Sequence, residues 1–273
     1  PWYRDTGLHT LQSTTKSVGS ALAGIAIARG AIRSTDATLG ELLPHRDIRD
    51  PRKAAITLDN VLTMRPGFAW NEDELSYRDP LNDSIVVEST RDWVGYLLAK
   101  PLTSEQGSTY SYNSTNTQMI GEIVATAVGK PLEMFAEEAL FGPIGMTSAV
   151  PKFDAAGDFV GSSYVFATAR DFAKFGELYR HDGVTAAGER ILPSGWVDHA
   201  RTPISHDDEN GCDYGRHWWM WPEIPGSLAC HGHEGQYIVV VPDRELVIVH
   251  LGKTDATVSP LLRARLRQMV DVV

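Results

Sequence analysis

The feature that most constrains this chain is a change of hydrophobic period partway along it. From Ser13 to about Asp182 apolar residues recur at helical spacing, whereas from Tyr214 to Leu251 they alternate with a period of two. A chain of 273 residues has room for a substantial core. A helical block thus sits between an N-terminal helix and a C-terminal sheet-plus-helix block, and clefts between such blocks are where ligands usually bind.

Local signals fix the elements. The first helix is predicted over Ser13 to Arg29, with Val18, Leu22, Ile25 and Ala26 on one stripe and Gly30 as its stop. Thr57, Thr90 and Thr168 read as helix caps. Ser114 to Val128 reads as a helix stopped by Gly129, and Pro131 opens the next, to about Leu140. Strands are expected over Trp218 to Trp221, Gln236 to Val241 and Glu245 to Leu251. Ser259-Pro260 then opens a C-terminal amphipathic helix. Trp218, Trp219 and Trp221 read as sheet packing.

Charge removes several function classes. The formal net charge is −10 and the pI about 5.3, so the surface repels phosphate backbones and anionic membranes, and no nucleic-acid partner is expected. No apolar run approaches the roughly 18 residues that a membrane helix requires. The chain opens at Pro1 with no signal peptide and reads as a mature form or a fragment. Bacterial cytoplasm, periplasm and secretion all stay open, as does oligomeric state. Cys212 and Cys230 are too few for a disulfide framework.

Three segments carry chemistry. In Ser13-Thr14-Thr15-Lys16, a serine at a helix start has its N–H in the unpaired first turn, and a lysine three residues on lies on the same face. Burial or a neighbouring cation would let that amine accept the serine proton. The bland alternative is a capping serine beside a solvated lysine, but the apolar helix that follows is suited to a central position. In Tyr112-Asn113-Ser114, a tyrosine precedes a helix within a Ser/Thr/Asn loop, and a phenol beside an ammonium can act as general acid or base. Tyr110 competes for that role. The third segment, His231-Gly232-His233-Glu234-Gly235-Gln236, precedes a strand, and its glycines permit close approach of a ligand to the backbone. Its His-x-His could hold a metal, but no third ligand follows at recognisable spacing, so neither metal nor cofactor is expected. A G-x-S-x-G elbow, a Walker loop and a dinucleotide fingerprint are all absent from the sequence.

Taken in order, Ser13-x-x-Lys16, Tyr112 and the His/Gly segment resemble the penicillin-recognising serine hydrolases, in the class C β-lactamase and esterase branch near the 6-aminohexanoate-dimer hydrolases. The likeness extends to Leu11 to Val18, to Val61-Leu62-Thr63-Met64-Arg65-Pro66-Gly67 with Trp70 and Glu72 beyond it, and to Ala167 to Ala173. It continues through Tyr214-Gly215, Trp218-Trp219, Gly235-Gln236 and Pro242. The resemblance implies a β-lactamase/DD-peptidase-like α/β fold of the α+β sandwich type, an antiparallel sheet flanked by helices. An α/β domain from residues 1–48 and 183–273 would carry an inserted all-helical domain, 49–182. By position Ser13 would be the acylated nucleophile, Lys16 its basic partner and Tyr112 the proton relay. The third motif falls on Cys230-His231-Gly232, which puts the second oxyanion N–H on His233, with Asn113 and Ser114 as further substrate contacts.

The chain departs from the family pattern at several points. Ser114 stands where an asparagine is frequent, and Cys230 stands where a lysine would receive a penicillin carboxylate. His233-Glu234-Gly235 offers an alternative register two residues on. Arg78 stands where a class A enzyme would need glutamate ahead of Leu81-Asn82. Twelve residues precede Ser13 where the family places two strands, so those strands are expected to be missing and one sheet edge exposed. The reading is a metal-free serine hydrolase acting by acyl transfer on small esters or linear amides. The runner-up is a β-lactamase or D-alanyl-D-alanine peptidase, and a third reading is an inactive binding protein on the same fold.

Overall fold

The computed structural model describes residue 4 and residues 6–72, 74–208, 210–255 and 257–272; Pro1, where the sequence opens, lies outside them. After a short strand, β1 (His9–Thr10), a 3-10 turn at Gln12–Thr14 leads into α1 (Thr15–Ala28). Five short helices follow: α2 (Leu39–Leu42), α3 (Pro51–Ala54), α4 (Leu58–Leu62), α5 (Asp83–Glu88) and α6 (Trp93–Ala99). The long α7 (Thr115–Val128) precedes α8 (Leu132–Ala136), β2 (Val150–Pro151) and β3 (Val165–Ala167). Then come α9 (Ala169–Arg180), α10 (Trp196–Ala200) and the strands β4 (Ser205–Asp207), β5 (Cys212–Tyr214) and β6 (Trp219–Met220). β7 (Leu228–Gly232), β8 (Gln236–Val241), β9 (Leu246–His250) and α11 (Ser259–Asp271) complete the described chain.

β4 to β9 form one antiparallel meander in sequence order, and β9 is an edge strand of the described sheet. The register pairs Gly232 with Gln236 across the β7–β8 hairpin, and Tyr237 with His250. Alternation along β8 sorts its residues onto two cores. Ile238 and Val240 join the core containing Val18, Leu22 and Ile25 of α1 and Phe172 and Phe175 of α9. Tyr237, Val239 and Val241 face the other way, into a core shared with Leu266 and Val270 of α11. Every residue of β8 is therefore buried, as befits a strand covered by helices on both faces.

The helix signals largely hold. Thr57 forms a capping box with Asn60, Thr168 accepts from the Asp171 N–H at 3.3 Å, and Gly129 closes α7 at φ +66°. Thr90 does not cap α6: its hydroxyl donates to the Val87 carbonyl at the end of α5, and Asp92 accepts from the Gly95 N–H instead. A three-stranded sheet, β1-β3-β2, lies outside the helical pattern expected before Asp182. Helix α9, inside the 49–182 span, packs on β8 and β9. Both cysteines are buried as free thiols, and among the described residues no helix is long and apolar enough to cross a membrane.

Candidate active site

The chain turns sharply before Ser13. Gln12 adopts φ +51°, a left-handed conformation that costs a non-glycine residue about 1 kcal/mol or more. This kink sets Ser13 within the 3-10 turn that leads into α1, where it lines a cavity of about 1200 Å³ between the helical block and the sheet. One turn on, Lys16 is 2% exposed, with its Nζ 2.9 Å from Ser13 Oγ and donating to the Ser162 carbonyl at 3.1 Å. The same Nζ lies 4.8 Å from the centre of the Tyr112 ring. Tyr112 lines the cavity and packs against Tyr214 and Trp219, so its orientation is fixed by three rings' worth of contact. Its competitor Tyr110 is turned elsewhere, its hydroxyl donating to Asp207 Oδ2 at 3.4 Å.

Asn113 and Ser114 are buried in the wall behind Tyr112. Asn113 Oδ1 accepts from the Thr115 N–H at 2.9 Å and so caps α7. The Ser114 N–H and hydroxyl donate to the Glu72 carboxylate at 2.8 and 2.6 Å. Glu72, only 2% exposed, also accepts from Trp70 Nε1 at 2.8 Å and from the Tyr77 hydroxyl at 3.1 Å. Tyr77 in turn meets the His233 ring edge to face, 5.3 Å between centres, across the cavity mouth.

The third segment arrives on β7. An added Cβ at Gly232 would lie 2.4 Å from the Leu11 carbonyl oxygen and 2.9 Å from Thr14 Oγ1, so only glycine lets this strand touch the turn that carries Ser13. The corresponding atom at Gly235 would instead meet Leu262 and Thr254. Of the two glycines, Gly232 is thus the one packed against the turn that carries Ser13. Cys230 lies in the core, where burial pushes its thiol pKa well up, so this position presents no cation to the cavity. His231 stacks on Trp219 with ring centres 4.9 Å apart, and its Nε2 accepts from Trp221 Nε1 at 2.6 Å. Burial, reinforced by Arg263, holds His231 down to about 3, and an indole can only donate, so the ring is neutral with its proton on Nδ1. His217, behind Lys16, is likewise lowered to about 3 by burial and by the lysine charge; its Nε2 is 3.0 Å from the Thr117 hydroxyl and its Nδ1 2.8 Å from the Leu62 carbonyl.

Sequence reasoning missed Glu72 as an acceptor, the Ser162 carbonyl on Lys16, and Gln236. The first was visible only as part of a resemblance, and the second is a backbone atom 146 residues away. Among the described residues no group of three or more His, Cys, Asp or Glu is placed to hold a metal ion.

A serine and a buried lysine at a helix start, a tyrosine beside them and a glycine-bearing strand thus meet at one cavity of an α/β protein. The beta-lactamase family profile matches residues 2–270, and the chain belongs to that family of serine hydrolases. The search among curated proteins found no match. Among solved structures, the fold is similar to a putative 6-aminohexanoate-dimer hydrolase from Bacillus anthracis. That match has 20% identity and a TM-score of 0.83, covering 100% of this chain and 76% of the other. A class C beta-lactamase from Rhodobacter sphaeroides matches at 18% identity and a TM-score of 0.72, covering 98% and 86%. A family VIII carboxylesterase matches at 18% and 0.74, covering 98% and 85%.

Proposed function

We propose that this protein hydrolyses small esters or linear amides through an acyl-enzyme on Ser13. The observation that carries the reading is Lys16 Nζ at 2.9 Å from Ser13 Oγ and 4.8 Å from the Tyr112 ring centre, at the edge of a large cavity. Ser13 Oγ attacks the substrate carbonyl carbon while its proton passes into the Lys16–Tyr112 pair. The N–H groups of Ser13 and His233 stabilise the oxyanion. The same pair returns the proton to the departing alcohol or amine, and water then releases the acid by the reverse sequence.

The substrate class is argued from what the third motif lacks. Cys230 is buried and His231 is neutral, so the strand offers no cation for a penicillin carboxylate. Two neighbours in fold are named a putative 6-aminohexanoate-dimer hydrolase and a carboxylesterase, names that specify a linear amide and a carboxylic ester as the bonds cleaved. The test is intact mass after exposure to a fluorophosphonate, with Ser13→Ala as control. One adduct, lost in the variant, is expected, together with turnover of a short-chain p-nitrophenyl ester exceeding that of a chromogenic cephalosporin. A folded protein that takes no adduct would overturn the enzyme reading in favour of a binding protein on this fold.

A further inference from the structure

The hairpin turn after Gly232 is held from one side by a single buried side chain. Gln236, 3% exposed, directs Nε2 at the carbonyl oxygens of His233 (3.1 Å), Glu234 (3.3 Å) and Gly252 (2.5 Å). Its Oε1 accepts from the Gly252 N–H at 2.9 Å. The amide orientation is forced, because three carbonyls need a donor and one N–H needs an acceptor. Two further bonds complete the fixation: the Thr254 N–H donates to the Glu234 carbonyl at 2.8 Å, and His250 Nδ1 lies 2.7 Å from the Gly235 carbonyl. With the turn set, the Gly235 N–H donates to the Gly232 carbonyl at 3.2 Å. In a trans peptide the N–H opposes the C=O, so the His233 N–H is aimed out of the turn. The Gln236 backbone carbonyl meanwhile accepts from Thr14 Oγ1 at 3.3 Å, next to Ser13.

We propose that Gln236 is a positioning residue that sets the second oxyanion donor, the His233 N–H, relative to the first on Ser13. The inference rests on the acyl-enzyme reading above. A buried residue that makes four side-chain hydrogen bonds to one turn and to the segment just after β9 does more than fill space: the rest of β8 is Tyr237 and aliphatic side chains. Glu234 at φ +59° and Gly235 at φ +84° make the turn one that needs external support.

The test uses Gln236→Met, which keeps length and loses every hydrogen bond, and Gln236→Glu, which sets a carboxylate against three carbonyl oxygens. Acylation is measured with an ester and with the matching thionoester, whose sulfur gains little from oxyanion donors. Loss of a well-placed donor costs on the order of 100-fold. The ester rate should fall by about that factor in both variants while the thionoester rate moves less than about threefold, collapsing the ratio. Equal losses on both substrates, or none, would overturn the proposal and leave Gln236 a structural residue. Should Gln236→Met fail to fold, His250→Phe removes one outer support and should shift the ratio in the same direction by a smaller factor; an unchanged ratio there would also overturn it. If the parent protein takes no fluorophosphonate, the acyl-enzyme reading itself has failed and this inference with it.

Discussion

Glu72 offers the sharpest quantitative test, because its four donors differ in kind. The Ser114 and Trp70 N–H groups can only donate, and both meet Oε2, at 2.8 Å each. The Ser114 and Tyr77 hydroxyls meet Oε1 at 2.6 and 3.1 Å and can rotate to accept instead. Glu72→Gln can therefore place its carbonyl oxygen against the two fixed donors and its NH2 against the two hydroxyls, keeping all four contacts. The loss is confined to charge assistance, about 1 to 2 kcal/mol. Glu72→Ala strands two fixed donors in the wall, and at about 1 to 3 kcal/mol for each the cost is about 2 to 6 kcal/mol. Urea unfolding followed by tryptophan fluorescence reads both values. The alanine variant should also lose ester turnover, since Ser114 anchors the segment that carries Tyr112, whereas the glutamine variant should retain most of it. Equal destabilisation by the two substitutions would refute the donor-type argument, and an alanine variant as stable as the parent would refute the role altogether.

Three other outcomes are expected. Burial, with Glu122 and Asp154 nearby, raises Asp158 from 3.8 to about 6, so the unfolded chain releases this proton first and the group's contribution to stability falls as pH rises from about 4 to 6; Asp158→Asn should raise the urea midpoint at pH 8 by the equivalent of about 1 to 3 kcal/mol and leave it nearly unchanged at pH 3.5. His217 and His231 carry the opposite sign: held neutral down to about 3, they let the unfolded chain bind protons first below its ordinary 6.5, so stability is present above that pH and is lost on acidification, and His217→Gln should flatten the decline between pH 6.5 and 4 in calorimetry. At the crossing of α1 and α7, an added Cβ at Gly19 would lie 2.6 Å from Thr117 Cγ2, so Gly19→Ala should cost about 1 to 3 kcal/mol, and Thr117→Ser in the same chain should recover much of it.

Much of this arrangement was legible in the chain because it depends on local rules. The first helix, the caps at Thr57 and Thr168, the full span of β8 and the start of α11 follow from periodicity and from residues within four positions of each other. Thr90 failed because two short helices compete for the same polar segment, and the closer carbonyl of α5 took its hydroxyl. β4, β5 and the three-stranded sheet are only two or three residues long per strand, too short for alternation to register. At the site, Ser13, Lys16 and Tyr112 were visible as residue types in order. What holds them was not: the Ser162 carbonyl has no side-chain signature, and nothing in the strand pattern of Gln236 to Val241 marks its first residue as the partner of four backbone groups.

The order of the strands bears on how the molecule assembles. All six strands of the large sheet come from residues 205–250, each beside its sequence neighbour, so this layer can zip up from short-range contacts. The turn that carries Ser13 bonds to this sheet at long separation, Thr14 to Gln236, and to β3 of the small sheet through Leu11 and Val165. Closing such loops carries the larger entropic barrier. The surroundings of Ser13 are thus expected to be completed late, and a chain caught partway, sheet formed and first helix undocked, would look folded by circular dichroism while lacking the proposed site.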